Sequence, residues 1–254
     1  MTGSHGQFCW YELMTTDPKA AEAFYSSVVG WRAQPIDGGY TLLLAGGQSV
    51  AGVMELSEEP RGAGARPLWI GYVSVDDIER AVADLREAGG TVVRPPADIP
   101  TIGRFAVVRD PHGAAFVLMQ PDPRSTPPAP PGYLPGYVGW RELQAGDPVE
   151  AMAFYGDQFG WKPDVAMDMG PIGSYQLFTT GAEAVGGIMA KMPDMPTPVW
   201  LYYFSVEDID AAAGRVKERG GELLMEPMEV PGGGWIVQAF DPQGAMFALA
   251  GPRP

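Results

Sequence analysis

The chain has little cysteine, little histidine and few lysines and arginines, residue types that carry much of protein chemistry. Its 254 residues include one cysteine, two histidines, and 17 lysines and arginines against 31 aspartates and glutamates, so the net charge is −14. A single cysteine excludes an internal disulfide and suits a reducing compartment, so we expect a cytoplasmic protein. The shortage of basic residues argues against nucleic-acid partners, because those need cationic patches against the phosphates.

Long apolar runs are also missing. The longest apolar runs are short and broken up, so the sequence predicts no transmembrane span. The N-terminus has no basic segment followed by an apolar one, so no export signal is expected. The acidic charge disfavours anionic membranes and would concentrate cationic ligands around the protein, although solubility alone is the simpler explanation.

What the chain does have is a long internal repeat. Residues 10–31 contain Trp-x-Glu-Leu, Asp-Pro, Phe-Tyr and Gly-Trp, and the same pattern returns without a gap in residues 140–161. A period of about 130 residues is far too long for a solenoid repeat and predicts two copies of one domain. We place these domains at 1–122 and 136–254, joined by a proline-rich linker at 123–135.

Each predicted domain contains a shorter repeat of the type β-α-β-β-β. In the first domain residues 8–16 alternate as a strand, and Asp17-Pro18 begins a helix. Asp76-Asp77 begins a second helix, and Asp110-Pro111-His112-Gly113 has the composition of a β-turn between the last two strands. The sequence therefore predicts an α+β fold of four modules arranged in two pairs.

These motifs resemble the vicinal oxygen chelate superfamily, which includes glyoxalase I, bleomycin-resistance proteins, fosfomycin-resistance enzymes and extradiol dioxygenases. The resemblance is carried by Asp-Pro-x-x-Ala-x-x-Phe-Tyr with its closing Gly-Trp, by Val-x-Asp-Ile and by Asp-Pro-x-Gly-Ala, all present in both domains. It implies that paired modules curve their sheets into a partly open barrel with the ligand on the concave side. It is specific for the fold and unspecific for the reaction.

The resemblance also implies where a metal would bind. Metal-using members take a His, Gln or Glu from the first strand of each module, seven residues before the acidic residue that opens the helix. Counted back from Asp17, Asp76, Asp147 and Glu207, these positions are Trp10, Trp69, Trp140 and Trp200. The carboxylate of the last strand falls at Val117 and Ala248, and we place its counterparts in the other modules at Glu55 and Ala190.

This ligand set cannot hold a divalent ion, since an indole has an N–H donor and no lone pair for a metal. His5 and His112 are far apart in the sequence, and a shifted site on Glu12 and Glu142 would bind a hard cation only weakly. The sequence therefore predicts no metal and no other cofactor.

Tryptophan in these positions predicts aromatic pockets, because an indole face can stack on a planar molecule or attract a cation. Glu12 and Glu142 share strand faces with Trp10 and Trp140. The predicted ligand contacts are Trp10, Glu12, Trp69, Val117, Trp140, Glu142, Trp200, Tyr202 and Ala248, and no catalytic residue is predicted. Two alternatives stay open: the tryptophans fill the barrels as core, or Arg32 and Arg141 pair with the two glutamates.

The predicted function is metal-free binding of a small aromatic or hydrophobic organic molecule, planar or cationic. It would serve either drug sequestration or an accessory step in secondary metabolism. The alternatives are a metal-dependent lyase or dioxygenase of the same superfamily and a tailoring hydroxylase-like enzyme. The sequence leaves the identity of the ligand open, and it fits both a monomer with an internal pseudo-dimer and a homodimer.

Overall fold

The computed structural model describes residues 4–58, 62, 64–124, 134–193 and 195–254. Most of the predicted linker at 123–135 lies outside these described residues, so the linker and the domain boundaries beside it stay predictions. The helices in the described ranges are α1 (Pro18–Val28), α2 (Ile78–Glu87), α3 (Pro148–Phe159) and α4 (Ile209–Glu218), with a short 3-10 turn at Gly170–Ile172.

The strands of the first half are β1 (Phe8–Thr15), β2 (Arg32–Ile36), β3 (Tyr40–Ala45), β4 (Gln48–Glu55), β5 (Leu68–Ser74), β6 (Thr91–Ile99), β7 (Gly103–Arg109) and β8 (Ala115–Pro121). Those of the second half are β9 (Val138–Ala145), β10 (Lys162–Asp168), β11 (Ser174–Thr179), β12 (Ala184–Ala190), β13 (Val199–Ser205), β14 (Glu222–Leu223), β15 (Met228–Glu229), β16 (Trp235–Phe240) and β17 (Met246–Gly251).

These strands form two open sheets, of eight and nine strands. The orders are β2-β3-β4-β1-β5-β8-β7-β6 and β10-β11-β12-β9-β13-β17-β16-β14, with β15 paired to β16. Inside every module the first strand runs parallel to the last one, and the other described pairs are antiparallel. The predicted α+β fold of four repeated modules is confirmed.

The chain also divides into two compact units, which combine modules from both halves of the sequence. The first unit comprises residues 1–10, 71–127 and 141–200, and the second comprises 11–70, 128–140 and 201–254. In each unit the tryptophan of the Gly-Trp motif after the helix donates its indole N–H to a glycine carbonyl. Trp161 donates to Gly6 at 2.6 Å, and Trp31 donates to Gly136 at 2.7 Å.

Strands β2 and β10 have the weakest sequence signal of the predicted β-α-β-β-β modules. Four of the five residues of β2 are exposed, as are six of the seven of β10, and each strand lies at the end of its sheet. Because an edge strand with both faces in water needs no apolar alternation, its sequence carries no period of two. Proline is tolerated there for the same reason, and both strands contain one, Pro35 and Pro163.

No helix in the described part of the chain is both long and apolar enough to cross a membrane.

Candidate functional site

The helix caps correct the count by which the ligand positions were found. The side chain of Asp77 accepts the backbone N–H of Arg80, and that of Asp208 accepts the N–H of Ala211, so these two residues are the N-caps of α2 and α4. The count from Asp76 and Glu207 therefore started one residue too early. Seven residues before the true caps lie Ile70 and Leu201, whereas Asp17 and Asp147 are caps and keep Trp10 and Trp140 in place.

Strand register agrees with the corrected count. Tyr72 is the partner of Val117 on β8, and Tyr203 is the partner of Ala248 on β17. Because side chains alternate along a strand, Ile70 shares the face of Tyr72, and Leu201 shares the face of Tyr203. The same alternation directs Trp69, Trp200 and Tyr202 to the opposite faces of β5 and β13.

Trp69 is packed solidly inside the second unit, with an exposed fraction of 3%. Its indole N–H donates to the hydroxyl of Tyr25 at 2.8 Å, and that hydroxyl donates to Asp241 at 3.0 Å. The ring also lies 4.8 Å from Phe204, between ring centroids. Tyr202, which is fully buried, packs edge-to-face on Tyr11 at 5.1 Å.

Trp200 has the equivalent surroundings in the first unit, and it is also 3% exposed. Its indole N–H donates to the hydroxyl of Tyr155 at 3.0 Å, and Tyr155 donates to Asp110 at 3.2 Å. Trp161 and Phe178 pack on the same indole. This placement does not match the expectation that Trp69 and Trp200 line ligand pockets. Their indole N–H groups already donate to tyrosine hydroxyls, and their rings already pack against other aromatic side chains.

The two aspartates of the Asp-Pro-x-Gly turns complete these networks. Asp241 accepts the backbone N–H groups of Gln243 and Ala245, and Asp110 accepts those of His112 and Ala114. Burial raises the pKa of Asp241 above its usual range, although its hydrogen bonds oppose the shift. Burial, together with the nearby Asp241, raises the pKa of Tyr25 well above 10, so its hydroxyl stays a neutral donor.

The raised pKa of Asp241 predicts a dependence of stability on pH. The folded state favours the protonated carboxyl, so its contribution is complete below the unfolded pKa of about 4 and is lost as pH rises through the folded value. We expect the free energy of unfolding of the wild type, relative to Asp241→Asn, to fall by at most about 1.4 kcal/mol per pH unit in this window. Denaturation midpoints of both proteins between acid and neutral pH measure this difference, and a constant difference would contradict the assignment.

Trp140 lies on a different kind of surface in the second unit. It is half-buried and packs against a cluster of Leu201, Tyr203 and Ala248, in which each member is at most 2% exposed. The hydroxyl of Tyr203 accepts a hydrogen bond from the side chain of Gln238 at 2.8 Å. This face therefore offers one partly accessible indole over an apolar floor with a polar edge.

Glu142 is held by hydrogen bonds within the first unit. The carboxylate is 5% exposed, and it accepts the hydroxyl of Tyr175 at 3.1 Å and the side-chain amide of Gln144 at 3.3 Å. Gly187, the strand partner of Glu142, makes this possible, because the ring of Tyr175 occupies the space of the missing Cβ.

The first module repeats this arrangement in the second unit. Glu12 is 6% exposed, its strand partner is Gly52, and the ring of Tyr40 lies across that glycine. Of the two arginines considered as partners, Arg32 is exposed and donates to Gln34. Arg141 lies over the ring of Phe8 and donates to the carbonyl of Val185.

The residues present do not fit the metal of the superfamily. At the corrected positions the modules offer indoles, the alkyl side chains of Ile70 and Leu201, and Val117 and Ala248 on the last strands, none of which has a metal-binding donor atom. Glu55 and Ala190, the counterparts in the other two modules, pair with Thr15 and Ala145 and so take the opposite strand face from Glu12 and Glu142. In the described ranges no three His, Cys, Asp or Glu side chains cluster as ligands.

Both histidines make polar contacts away from the counted ligand positions. His112 accepts the backbone N–H of Asp147 and pairs with Glu150 at 2.9 Å, and His5 lies 3.9 Å from Asp76.

Cys9 is a poor nucleophile, because burial raises the pKa of its thiol to about 12. Its Sγ donates to the carbonyl of Tyr72 at 3.5 Å. We expect iodoacetamide at pH 8 to modify the native protein on the order of 10³-fold more slowly than the unfolded chain, which has an ordinary thiol. Mass spectrometry over time measures both rates, and equal rates would contradict this environment.

The remaining predicted residues are Trp10 and Val117. Trp10 is half-buried on the β1 face of Glu12, and Val117 is buried. Sequence reasoning missed Gln144, Tyr175, Leu201 and Tyr203. Taking Asp208, rather than Glu207, as the helix cap would have found Leu201 and, by alternation, Tyr203.

Comparison with known proteins agrees with this architecture. A profile of the Glyoxalase/Bleomycin resistance protein/Dioxygenase superfamily matches residues 7–118 and 137–249. The protein CFP32 of Mycobacterium tuberculosis, provisionally named a glyoxylase, is 35% identical over 253 residues, covering 96% of this chain and 94% of CFP32. The anthracycline biosynthesis protein DnrV of Streptomyces peucetius is 31% identical over 260 residues, covering 96% and 92%.

Solved structures show the same fold at low sequence identity. The Mn(II)-bound glyoxalase of Novosphingobium aromaticivorans superposes with a TM-score of 0.66 at 15% identity, covering 98% of this chain and 83% of that one. The 2,3-dioxygenase LapB of Pseudomonas sp. KL28 gives 0.65 at 14% identity, covering 97% and 92%. From its four modules, its repeated motifs and these matches, the chain belongs to the glyoxalase/bleomycin resistance protein/dioxygenase superfamily.

Proposed function

We propose that this chain binds a small organic molecule with a flat aromatic or hydrophobic body and uses no metal ion to do so. The observation that carries the proposal is the half-buried indole of Trp140 over Leu201, Tyr203 and Ala248. By the count that the family resemblance implies, Trp140, Leu201 and Ala248 occupy metal-ligand positions, and they offer a ring face and apolar surface in place of lone pairs. Such a surface favours stacking and apolar contact over Lewis-acid chemistry.

The names of relatives support a role in secondary metabolism. DnrV of Streptomyces peucetius and DauV of Streptomyces sp. (strain C5) are both named anthracycline biosynthesis proteins, and both are 31% identical to this chain over 96% of its length. We therefore favour an accessory role in the biosynthesis of a polycyclic aromatic compound over drug sequestration. A tailoring hydroxylase-like activity is the alternative within that role.

The alternative to metal-free binding is a metal-dependent lyase or dioxygenase. The name given to CFP32 and the glyoxalase and dioxygenase structures favour this rival. The residues at the counted ligand positions oppose it, because the indoles of Trp10 and Trp140 and the alkyl side chains of Ile70, Leu201, Val117 and Ala248 have no metal-binding donor atom. The proposal keeps a cytoplasmic location without nucleic-acid or membrane partners, which rests on the single cysteine and the net charge of −14.

Tryptophan fluorescence tests the binding proposal. An anthracycline absorbs light and should quench the indole that it stacks on, so titration should quench the wild type, and Trp140→Phe should lose much of this quenching. Trp235→Phe is the matched control, because Trp235 belongs to the same unit and its ring is covered by Arg253 at 4.4 Å. Absence of saturable quenching in the wild type, or equal quenching in the wild type and Trp140→Phe, would contradict the proposal.

A further inference from the structure

The first and third modules present nearly the same strand face, each within its own unit. The shared residues are Glu12 and Glu142, Gly52 and Gly187, Tyr40 and Tyr175, Leu42 and Leu177, and Met54 and Met189. The two faces differ next to the carboxylate, where β1 has Met14 paired with Met54 and β9 has Gln144 paired with Met189. One residue has thus been changed from apolar to polar in an otherwise matched setting.

Burying Gln144 in that setting costs free energy, because one of its polar atoms has no hydrogen-bond partner among the described residues. Its side chain is 4% exposed, and its amide nitrogen donates to Glu142 at 3.3 Å. Its amide oxygen is buried, and no donor of the described residues reaches it. This orientation places the amide N–H₂ group, which donates hydrogen bonds, against a carboxyl oxygen of Glu142, which accepts them. The amide oxygen is then directed away from Glu142 as a second acceptor.

Buried polar atoms in proteins nearly always have a partner, and an exception calls for an explanation. Methionine has no such acceptor to satisfy, and the matched position of the first module holds Met14, which is half-buried and pairs with Met54. A ligand with N–H donors would satisfy the oxygen of Gln144, and a positive charge on it would suit the adjacent carboxylate. The net charge of −14 also favours the approach of cations.

We propose that Gln144 and Glu142 form the recognition point for a donor-bearing organic cation, an amidinium or a primary ammonium group attached to a flat body. Met14 removes this recognition point from the first module, so one cation binds per chain. This inference concerns the first unit alone, and it rests on the proposed function only in that the chain binds a small organic molecule.

Three probes of similar size separate the contributions. Benzamidine is a planar cation with N–H donors, benzamide is its neutral analogue, and phenyltrimethylammonium is a cation without N–H donors. In calorimetric titrations we expect one benzamidine per chain, bound at least about tenfold more tightly than either other probe, because a charge-assisted hydrogen bond needs both features. Gln144→Met, which copies the first module, should weaken benzamidine about five- to twentyfold and leave phenyltrimethylammonium unchanged, because that cation has no N–H group to donate to Gln144.

The reciprocal variant Met14→Gln keeps the inference falsifiable if Gln144→Met does not fold. It should add a second, weaker benzamidine site. Equal affinity of wild type for benzamidine and benzamide would overturn the inference. So would a Gln144→Met protein that melts at a higher temperature and binds benzamidine as before, since the amide would then be a structural feature. If the anthracycline binds but benzamidine binds no more tightly than the other two probes, only this inference fails. If none of these molecules binds, the proposed function fails with it.

Discussion

Trp200→Ala is expected to lower the free energy of unfolding by about 3–5 kcal/mol, the range for truncating a large aromatic side chain in a packed core. The indole is 3% exposed and packs against Tyr155, Trp161 and Phe178. Its loss also leaves the hydroxyl of Tyr155 without its indole donor. Trp69→Ala should cost a similar amount, because the same network recurs around Tyr25. Urea denaturation followed by circular dichroism measures both.

The control is again a tryptophan. Trp235 is half-buried with Arg253 on its face, and its truncation should cost only about 1–2 kcal/mol. If Trp69→Ala and Trp200→Ala unfold like the wild type but bind the anthracycline poorly, the two indoles line ligand pockets after all. That outcome would restore the expectation drawn from the sequence.

Asp241→Ala should be comparably damaging, with a loss of about 3–5 kcal/mol. One carboxylate accepts the hydroxyl of Tyr25 and the backbone N–H groups of Gln243 and Ala245, and it is 3% exposed. Alanine would leave three donors without their acceptor, and each buried donor costs about 1–3 kcal/mol. Chemical denaturation near neutral pH measures the loss.

Two comparisons separate this effect from the loss of any carboxylate. Asp98→Ala removes an exposed partner of Arg104 and should change stability by less than about 1 kcal/mol. Asp241→Asn keeps an acceptor oxygen and should cost less than Asp241→Ala. A loss in Asp241→Ala no larger than that in Asp98→Ala would show that the turn does not depend on this carboxylate.

The fold could be predicted because its signals are local and occur more than once. Asp17-Pro18 and Asp147-Pro148 begin helices in both halves, and the Asp-Pro-x-Gly turns recur at Asp110 and Asp241. Elements with one buried face impose periodicity on the sequence, so β1 was found within one residue of its bounds, and α1 begins at the predicted Pro18. Edge strands such as β2 impose none.

The candidate site was harder, because an error of one residue in a strand reverses the face. Asp76 and Asp77 are both acidic and adjacent, and only the hydrogen bond to Arg80 identifies Asp77 as the cap. This single residue separates Trp69, a core residue, from Ile70. The four tryptophans do not share one environment. Trp69 and Trp200 are buried in aromatic clusters and fill the core, whereas Trp10 and Trp140 are half-buried.

Gln144 shows a second kind of limit. In the sequence it is one polar residue in a strand, with nothing to separate it from an exposed glutamine. Only the structure shows that Gln144 is buried beside Glu142 and that its amide oxygen accepts no hydrogen bond from the described residues. A difference between two repeated modules, Met14 against Gln144, could have drawn attention to the position, but not to its chemistry.

Binding without a metal is the central claim, and a titration of metal-stripped protein tests it most directly. The protein would be dialysed against EDTA, checked for Zn, Ni, Fe and Mn by elemental analysis, and titrated with the anthracycline. We predict the same affinity before and after this treatment, with no stoichiometric metal in the untreated sample. Loss of binding after EDTA, restored by one Mn²⁺ or Zn²⁺ per half of the chain, would contradict the claim and support the metal-dependent lyase or dioxygenase.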